Sequence, residues 1–192
     1  MSHDAWLERW LPALAERARG GTVLEVGCGS GDDTRTLVDA GLRVVAFDLS
    51  PEQLAQAEAR VPGAEFHCRS VLDPFPLAGT GVPAVVASLS LHYFPWRETL
   101  QVFERLRQTL APGGLLLCRL NSTEDHHFGA SGHSQIEPHY FLVDGAPKRF
   151  FDRAHVEVLF ASGWRVRSMV HGQTGKYGPL KSLWEVAAER AA

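Results

Sequence analysis

Apolar positions along this chain switch between alternate spacing and three-to-four spacing several times, the mark of strands and helices in alternation. Residues 23–26, Val-Leu-Glu-Val, read as a short buried strand in which Glu25 is the one polar interruption. Asp32 and Asp33 stand where a helix N-cap belongs, and residues 35–40 continue helically to a stop at Gly41. A second strand over 43–47 ends in Asp48. Ser50-Pro51-Glu52 then starts a helix to about Arg60, Pro62-Gly63 makes a turn, and 65–70 is a third strand. Two prolines make 73–76 a loop. Residues 83–91 are nearly all apolar and fit a strand buried on both faces. Leu100, Phe103, Leu106 and Leu110 space a helix over 97–110, stopped by Pro112-Gly113-Gly114 ahead of a strand over 115–120.

The ends of the chain follow the same logic. Residues 4–19 are amphipathic, with Trp6, Trp10, Leu11, Leu14 and Ala18 near one face, but Pro12 splits the element in two. Its tryptophans either dock on the sheet or form a lid over a ligand site, so 1–20 is expected to be an N-terminal helical lid segment. Residues 121–147 are polar, rich in His and Gly, and longer than an ordinary strand connection. Order returns at Asp152, which caps a helix through Ala161; strands follow over 164–170 and 181–186, with a glycine-bearing loop over 172–180 between them. Strands and helices in this order predict an α/β fold with a doubly wound parallel sheet.

Composition narrows the class. A chain of 192 residues with 45% apolar and 21% charged content suits one globular domain spanning 1–192, large enough to need neither disulfides nor metals. The net charge of -3 carries no electrostatic footprint for nucleic acid or an anionic membrane. Cys28, Cys68 and Cys118 form no C-x-x-C pair, which fits a reducing cytoplasm. Charged residues through the first twenty positions exclude a signal peptide, and no apolar run approaches the ~18 residues that a membrane span needs.

Chemistry concentrates at Gly27-Cys28-Gly29-Ser30-Gly31. Three alternate glycines after a strand and before a helix let a ligand lie against the backbone, as in nucleotide cradles. Asp48 stands near the ~20-residue offset at which an acid meets ribose hydroxyls. The dinucleotide fingerprint would place a glycine at 32, where this chain has Asp. That acid beside the helix N-terminus opposes a pyrophosphate and favours a zwitterionic or cationic ligand.

The run V-L-E-V-G-C-G-S-G resembles motif I of the class I S-adenosylmethionine-dependent methyltransferases, and Asp48 matches that family's acid after the second strand. Residues 84–93 resemble the family's fourth strand and its L-H-aromatic continuation, and Leu110-Ala111-Pro112-Gly113-Gly114 the turn before its fifth. The resemblance covers about residues 20–120. It implies a Rossmann-like, seven-stranded, mostly parallel sheet closed by a C-terminal antiparallel hairpin, with S-adenosylmethionine as cofactor. By carry-over, Glu25 takes the methionine amino end, Gly27, Cys28, Gly29 and Gly31 pass beneath the cofactor, and Asp48 and Leu49 meet the ribose side. Ser70 and Val71 flank the adenine, and Ser88 and Leu89 underlie the methionine chain. The family often has an acid at the position of Ser70, with Asp73 here three residues later.

Methyl transfer from a sulfonium is an in-line displacement in which positioning supplies much of the rate. His92 and Tyr93 follow the fourth strand, where the family presents the methyl group. His92 is a candidate general base or, equally, a packing residue at the strand end. An N-P-P-Y-type motif of DNA adenine methyltransferases is absent, so the expected acceptor is a small molecule; a metalloid oxyanion such as tellurite belongs to that class. The His-rich stretch 123–140 offers imidazoles and carboxylates, but its spacings match no familiar metal signature. The insert over 121–147 reads as a flexible substrate cap, and no metal is expected. Trp10, Arg119, Asn121, Tyr140, Arg149 and Tyr177 are candidates for contacting a substrate. Partners expected are a small methyl acceptor, no nucleic acid and no membrane, in a monomer or homodimer. Two other classes stay open: a methyltransferase-fold binding module without turnover, and a nicotinamide-dependent oxidoreductase. The latter wants a Tyr-x-x-x-Lys pair on a helix, whereas Tyr177 and Lys181, which have that spacing, run from a glycine-bearing loop into a strand.

Overall fold

A computed structural model describes residues 5–176 and 178–192. The chain opens with a 3-10 helix, Ala5–Trp10, that leads into α1 (Leu11–Ala18), with Pro12 in the first turn of α1 where its missing N–H costs nothing. Then come β1 (Thr22–Val26), α2 (Asp32–Asp39), β2 (Arg43–Asp48), α3 (Pro51–Arg60) and β3 (Glu65–Cys68). After the proline loop follow β4 (Val82–Ser88), α4 (Trp96–Thr109) and β5 (Leu110–Asn121). β6 (Ser134–Glu137), β7 (Tyr140–Val143) and β8 (Ala146–Arg149) precede α5 (Arg153–Leu159), β9 (Trp164–Thr174) and β10 (Lys181–Arg190).

Seven strands form one sheet in the order β3-β2-β1-β4-β5-β10-β9. The first five run parallel, and β10 and β9 close the edge antiparallel, as Trp184 opposite Leu120 and Val186 opposite Met169 show. Alternate residues of the central strands feed opposite faces. Leu24, Val26, Val85 and Leu116 pack with Phe103 and Leu106 of α4 and Val156 and Leu159 of α5. Val23, Val86 and Leu117 pack with Leu14 of α1, Leu37 of α2 and Leu54 of α3. Burial on both faces is why these strands read as nearly unbroken apolar runs. The expected doubly wound sheet with its closing hairpin is present.

Two local expectations need correction. Gly31, not Asp32 or Asp33, caps α2, with φ 84° and no side-chain cap; its missing Cβ clears Ala57 of α3, which an added carbon would meet at 3.1 Å. Gly31 therefore serves helix packing. The stretch 121–147 is not a loop throughout: β6, β7 and β8 form a second, antiparallel sheet. The Asp144-Gly145 pair between Val143 and Ala146, at φ 50° and 82°, is the tight-turn signal that announces the hairpin.

The cap is tied to the main sheet at its base. Phe151 N–H donates to Asn121 O at 2.8 Å, and Thr123 N–H to Phe151 O at 3.1 Å. Lys181 Nζ meets Asp125 Oδ2 at 2.7 Å, with Asp125 fully buried and its other oxygen accepting Ser182 N–H at 3.1 Å. Removing one partner of such a pair strands the other charge. Asp125→Ala is expected to lower unfolding free energy by about 3–5 kcal/mol. Urea denaturation at neutral pH measures it, and a loss near zero would show the pair to be idle.

Candidate active site

Sheet order reverses between β1 and β4, the switch point at which open α/β sheets bind ligands beyond the carboxyl ends of their strands. A cavity of about 590 Å³ opens there, the size of a small-molecule site. Its walls come from the turn after β1, the ends of β2 and β3, and the turn after β4, with Lys176 reaching in from the loop before β10.

Of the residues assigned to the cofactor, Glu25, Gly27, Cys28, Gly29, Asp48, Leu49, Ser70, Val71, Ser88 and Leu89 line this cavity; Gly31 does not. Asp48 is fixed by the backbone: Gly29 N–H donates to Oδ2 at 2.8 Å and Ser50 N–H to Oδ1 at 2.9 Å. A Cβ on Gly29 would meet nothing nearer than Gln53 Oε1 at 3.9 Å, so this backbone is bare toward the cavity.

Carboxylates set the potential. Glu25, Asp32, Asp33 and Asp48 all line the cavity. Burial, with Asp33 and Asp48 close by, raises the Glu25 pKa well above the ordinary range, partly offset by the Thr34 hydroxyl donating to Oε2 at 2.5 Å. Burial also pushes Asp32 up, but Arg60 at 2.7 Å and Lys176 at 3.2 Å outweigh it and leave its pKa lowered. The Trp6 indole N–H donates to both oxygens of Asp33 at 3.1 Å. Burial, then Glu25 and Asp48, raise the Cys28 pKa, so this thiol stays protonated.

The two catalytic candidates separate. Tyr93 lines the cavity beside Phe94 and is 46% exposed. His92 is buried outside the lining, its ring 4.2 Å from that of Tyr93. Burial, with Lys181 and Lys148 adding to it, pushes its pKa down to about 3. A ring neutral throughout the working range and outside the cavity does not meet the expectation of a base beside the reacting carbon.

The substrate candidates are mostly committed to the protein. Arg119 is buried, donates through Nε and Nη2 to Ser88 Oγ at 2.9 and 2.8 Å, and stacks 4.5 Å from the Trp6 ring. Asn121 is fully buried, with Nδ2 3.5 Å from Arg149 O. Tyr140 donates its hydroxyl to Tyr93 O at 2.9 Å. Arg149 binds Phe94 O and Pro138 O and pairs with Glu137 at 2.9 Å. Trp10 points its indole N–H at Glu185, 3.4 Å away, and lies outside the cavity lining. Tyr177 lies outside the described residues. Cavity residues that sequence reasoning missed include Ser90, Phe94 and Lys176. Ser90 continued the alternate-position pattern of Ser88, whereas nothing local marked Lys176.

An α/β sheet of this order, with a glycine turn and an acid at its switch point, defines a nucleotide-type binding domain of the Rossmann-like class. Residues 23–114 match the family model described as Methyltransferase domain. A malonyl-[acyl-carrier protein] O-methyltransferase from Enterobacter lignolyticus is 35% identical over 116 residues, 60% of this chain and 43% of that protein. A trans-aconitate 2-methyltransferase from Delftia acidovorans is 33% identical over 113 residues, 57% of this chain and 41% of that protein. The chain thus spans less than half the length of either relative. A crystal structure of a SAM-dependent methyltransferase from Methanosarcina mazei matches the fold with a TM-score of 0.77 at 16% identity, over 88% of this chain and 92% of that one. Residues 23–114 are thus similar to the methyltransferase domain family, and the fold is the one that a solved methyltransferase adopts. No helix among the described residues is long and apolar enough to cross a membrane.

A buried carboxylate whose folded pKa is raised costs stability as pH climbs, because the native state then holds a proton the unfolded chain would release. Glu25→Gln keeps an acceptor for Thr34 and removes the charge. It is expected to raise the melting temperature of the ligand-free chain at neutral pH. The gain should fade as pH falls below the ordinary carboxylate pKa of 4.5. Melting curves of both proteins across pH decide it; a lower melting temperature for the variant at every pH would refute the assignment.

Proposed function

We propose that this chain binds S-adenosylmethionine in the switch-point cavity and transfers its methyl group to a small-molecule acceptor. The observation that carries the reading is the acid-lined cavity with a bare glycine floor and a backbone-fixed Asp48. Four carboxylates against one lysine suit a sulfonium cation with an ammonium group, and they oppose the pyrophosphate of a nicotinamide cofactor. When bound, the cofactor supplies an electrophilic methyl on sulfur.

The chain's own residues do the rest. Glu25 receives the amino end, and the turn over Gly27 and Gly29 lets the ligand approach the backbone. Asp48, whose oxygens each accept one amide, retains lone pairs for ribose hydroxyls. Ser70 and Val71 border the adenine region, and Ser88 and Leu89 the methionine chain. Tyr93 and Phe94 form the wall nearest to where an acceptor would enter, exclude water, and hold the nucleophile in line. An in-line displacement on a sulfonium can run on positioning alone, so positioning is the main source of rate. The trans-aconitate 2-methyltransferase and malonyl-[acyl-carrier protein] O-methyltransferase relatives make trans-aconitate and malonyl-[acyl-carrier protein] the first acceptors to screen.

Calorimetric titration with S-adenosylmethionine and with NADH tests the cofactor. Micromolar binding of the first and none of the second is expected. Asp48→Asn, which keeps an acceptor for the backbone, should weaken binding about 10-fold, and Asp48→Ala about 10–100-fold, as expected for hydrogen bonds to a charged group. Tight NADH binding without response to S-adenosylmethionine would overturn the reading. Binding with no S-adenosylhomocysteine released on any acceptor would favour the module without turnover.

A further inference from the structure

Away from the cavity, His139, Asp152 and His155 bring one ligand atom each to within 4.8 Å of one another, the group of this kind found among the described residues. His139 stands in the β6–β7 turn of the cap, whereas Asp152 and His155 open α5 on the main body. Asp152 Oδ1 accepts the backbone N–H of His155 at 2.8 Å and faces His155 Nδ1 at 2.7 Å. Its other oxygen lies 3.6 Å from His139 Nε2. The two imidazoles meet edge to face at 5.3 Å, and His155 is braced edge-on against Trp96 at 4.8 Å.

Three features favour a cation here. The bonds of tetrahedral zinc to nitrogen and oxygen, about 2.0–2.1 Å long, put neighbouring ligand atoms about 3.3 Å apart, a spacing these side chains reach by small rotations. Among the described residues, the ion-pair partners of Asp152 are these two imidazoles, with no lysine or arginine on it. All three groups are partly exposed, so an ion can enter without unfolding the chain. Two imidazoles and one carboxylate suit zinc and its borderline neighbours, whereas magnesium and calcium prefer all-oxygen sets.

We propose that His139, Asp152 and His155 form a divalent-cation site of the zinc class that fastens the turn of the cap to the start of α5. The backbone already links the same elements: Phe150 N–H donates to His139 O at 2.8 Å. This site departs from the metal-free expectation because its ligands come from two segments, thirteen residues apart between His139 and Asp152. It is independent of methyl transfer.

The full chain, stripped by chelator and dialysed, is titrated with zinc chloride alone in a calorimeter. One zinc per chain at micromolar affinity or tighter is expected. His139→Asn, which tolerates the positive φ of 57° at this position, and His155→Gln should each weaken uptake at least 10-fold, while His67→Gln leaves it unchanged. Cobalt loading of the wild-type chain gives a readout that needs no variant: visible absorption of a nitrogen and oxygen site, without the charge-transfer band of a thiolate ligand. No uptake, uptake unchanged in both variants, or a thiolate band would each overturn the assignment.

Discussion

At Gly27 the fold has room for a hydrogen atom and nothing larger. A Cβ there would lie 2.2 Å from Ser90 Cβ, and the backbone holds φ at 71°. The contact is tight because Ser90 Oγ donates to Val26 O at 2.5 Å, closing the turn after β4 onto the end of β1. On the other side, the amides of Gly27 and Cys28 both donate to Phe47 O, at 2.8 and 3.1 Å. The ends of β1, β2 and β4 are thereby bonded into one rim, and Asp48 joins the rim through Gly29 and Ser50. The shape of the cavity follows from that closure, since none of the three strand ends can move without breaking a hydrogen bond to the next.

The rim holds its acids at a cost in stability. Glu25 points from the central strand into the site, where burial and two neighbouring carboxylates oppose its charge. A hydrophobic residue would suit the sheet better, and the proposed role of Glu25 in binding carries that cost. Each other acid has a partner suited to its exposure: arginine and lysine on Asp32, an indole N–H on Asp33, backbone amides on Asp48. The arrangement keeps negative potential facing the cavity while satisfying the oxygens that face the protein.

Much of this was legible in the sequence, and the reason is locality. A glycine turn, a proline after Ser50 and an aspartate before α5 act through their own backbone or the next turn, so strand and helix order could be read directly. Buried runs gave the sheet because residues on both faces must be apolar. The cap failed as a reading because its strands are four residues long and half exposed, and only its Asp144-Gly145 turn carried a local signal. The surroundings of His92, Arg119 and Arg149 were illegible for a different reason. Their polarity suggested contact with a ligand, but what surrounds them comes from residues tens of positions away: Lys181 near His92, Ser88 and Trp6 at Arg119, Phe94 at Arg149.

That long-range burial gives the cap a definite mechanical role. Three successive carbonyls after β4 are held by the cap: His92 O by Arg149 N–H at 2.7 Å, Tyr93 O by the Tyr140 hydroxyl at 2.9 Å, and Phe94 O by Arg149 Nε at 3.0 Å. Tyr93 and Phe94 are also the cavity wall nearest the cap. Arg149 itself is almost wholly enclosed, stacked 4.8 Å from the Tyr140 ring and paired to Glu137, so it cannot swing out to meet a ligand. Its contribution to binding is therefore indirect and strict. Any shift of the cap relative to the sheet must either break charge-assisted bonds in a buried setting or carry the wall of the cavity along with it.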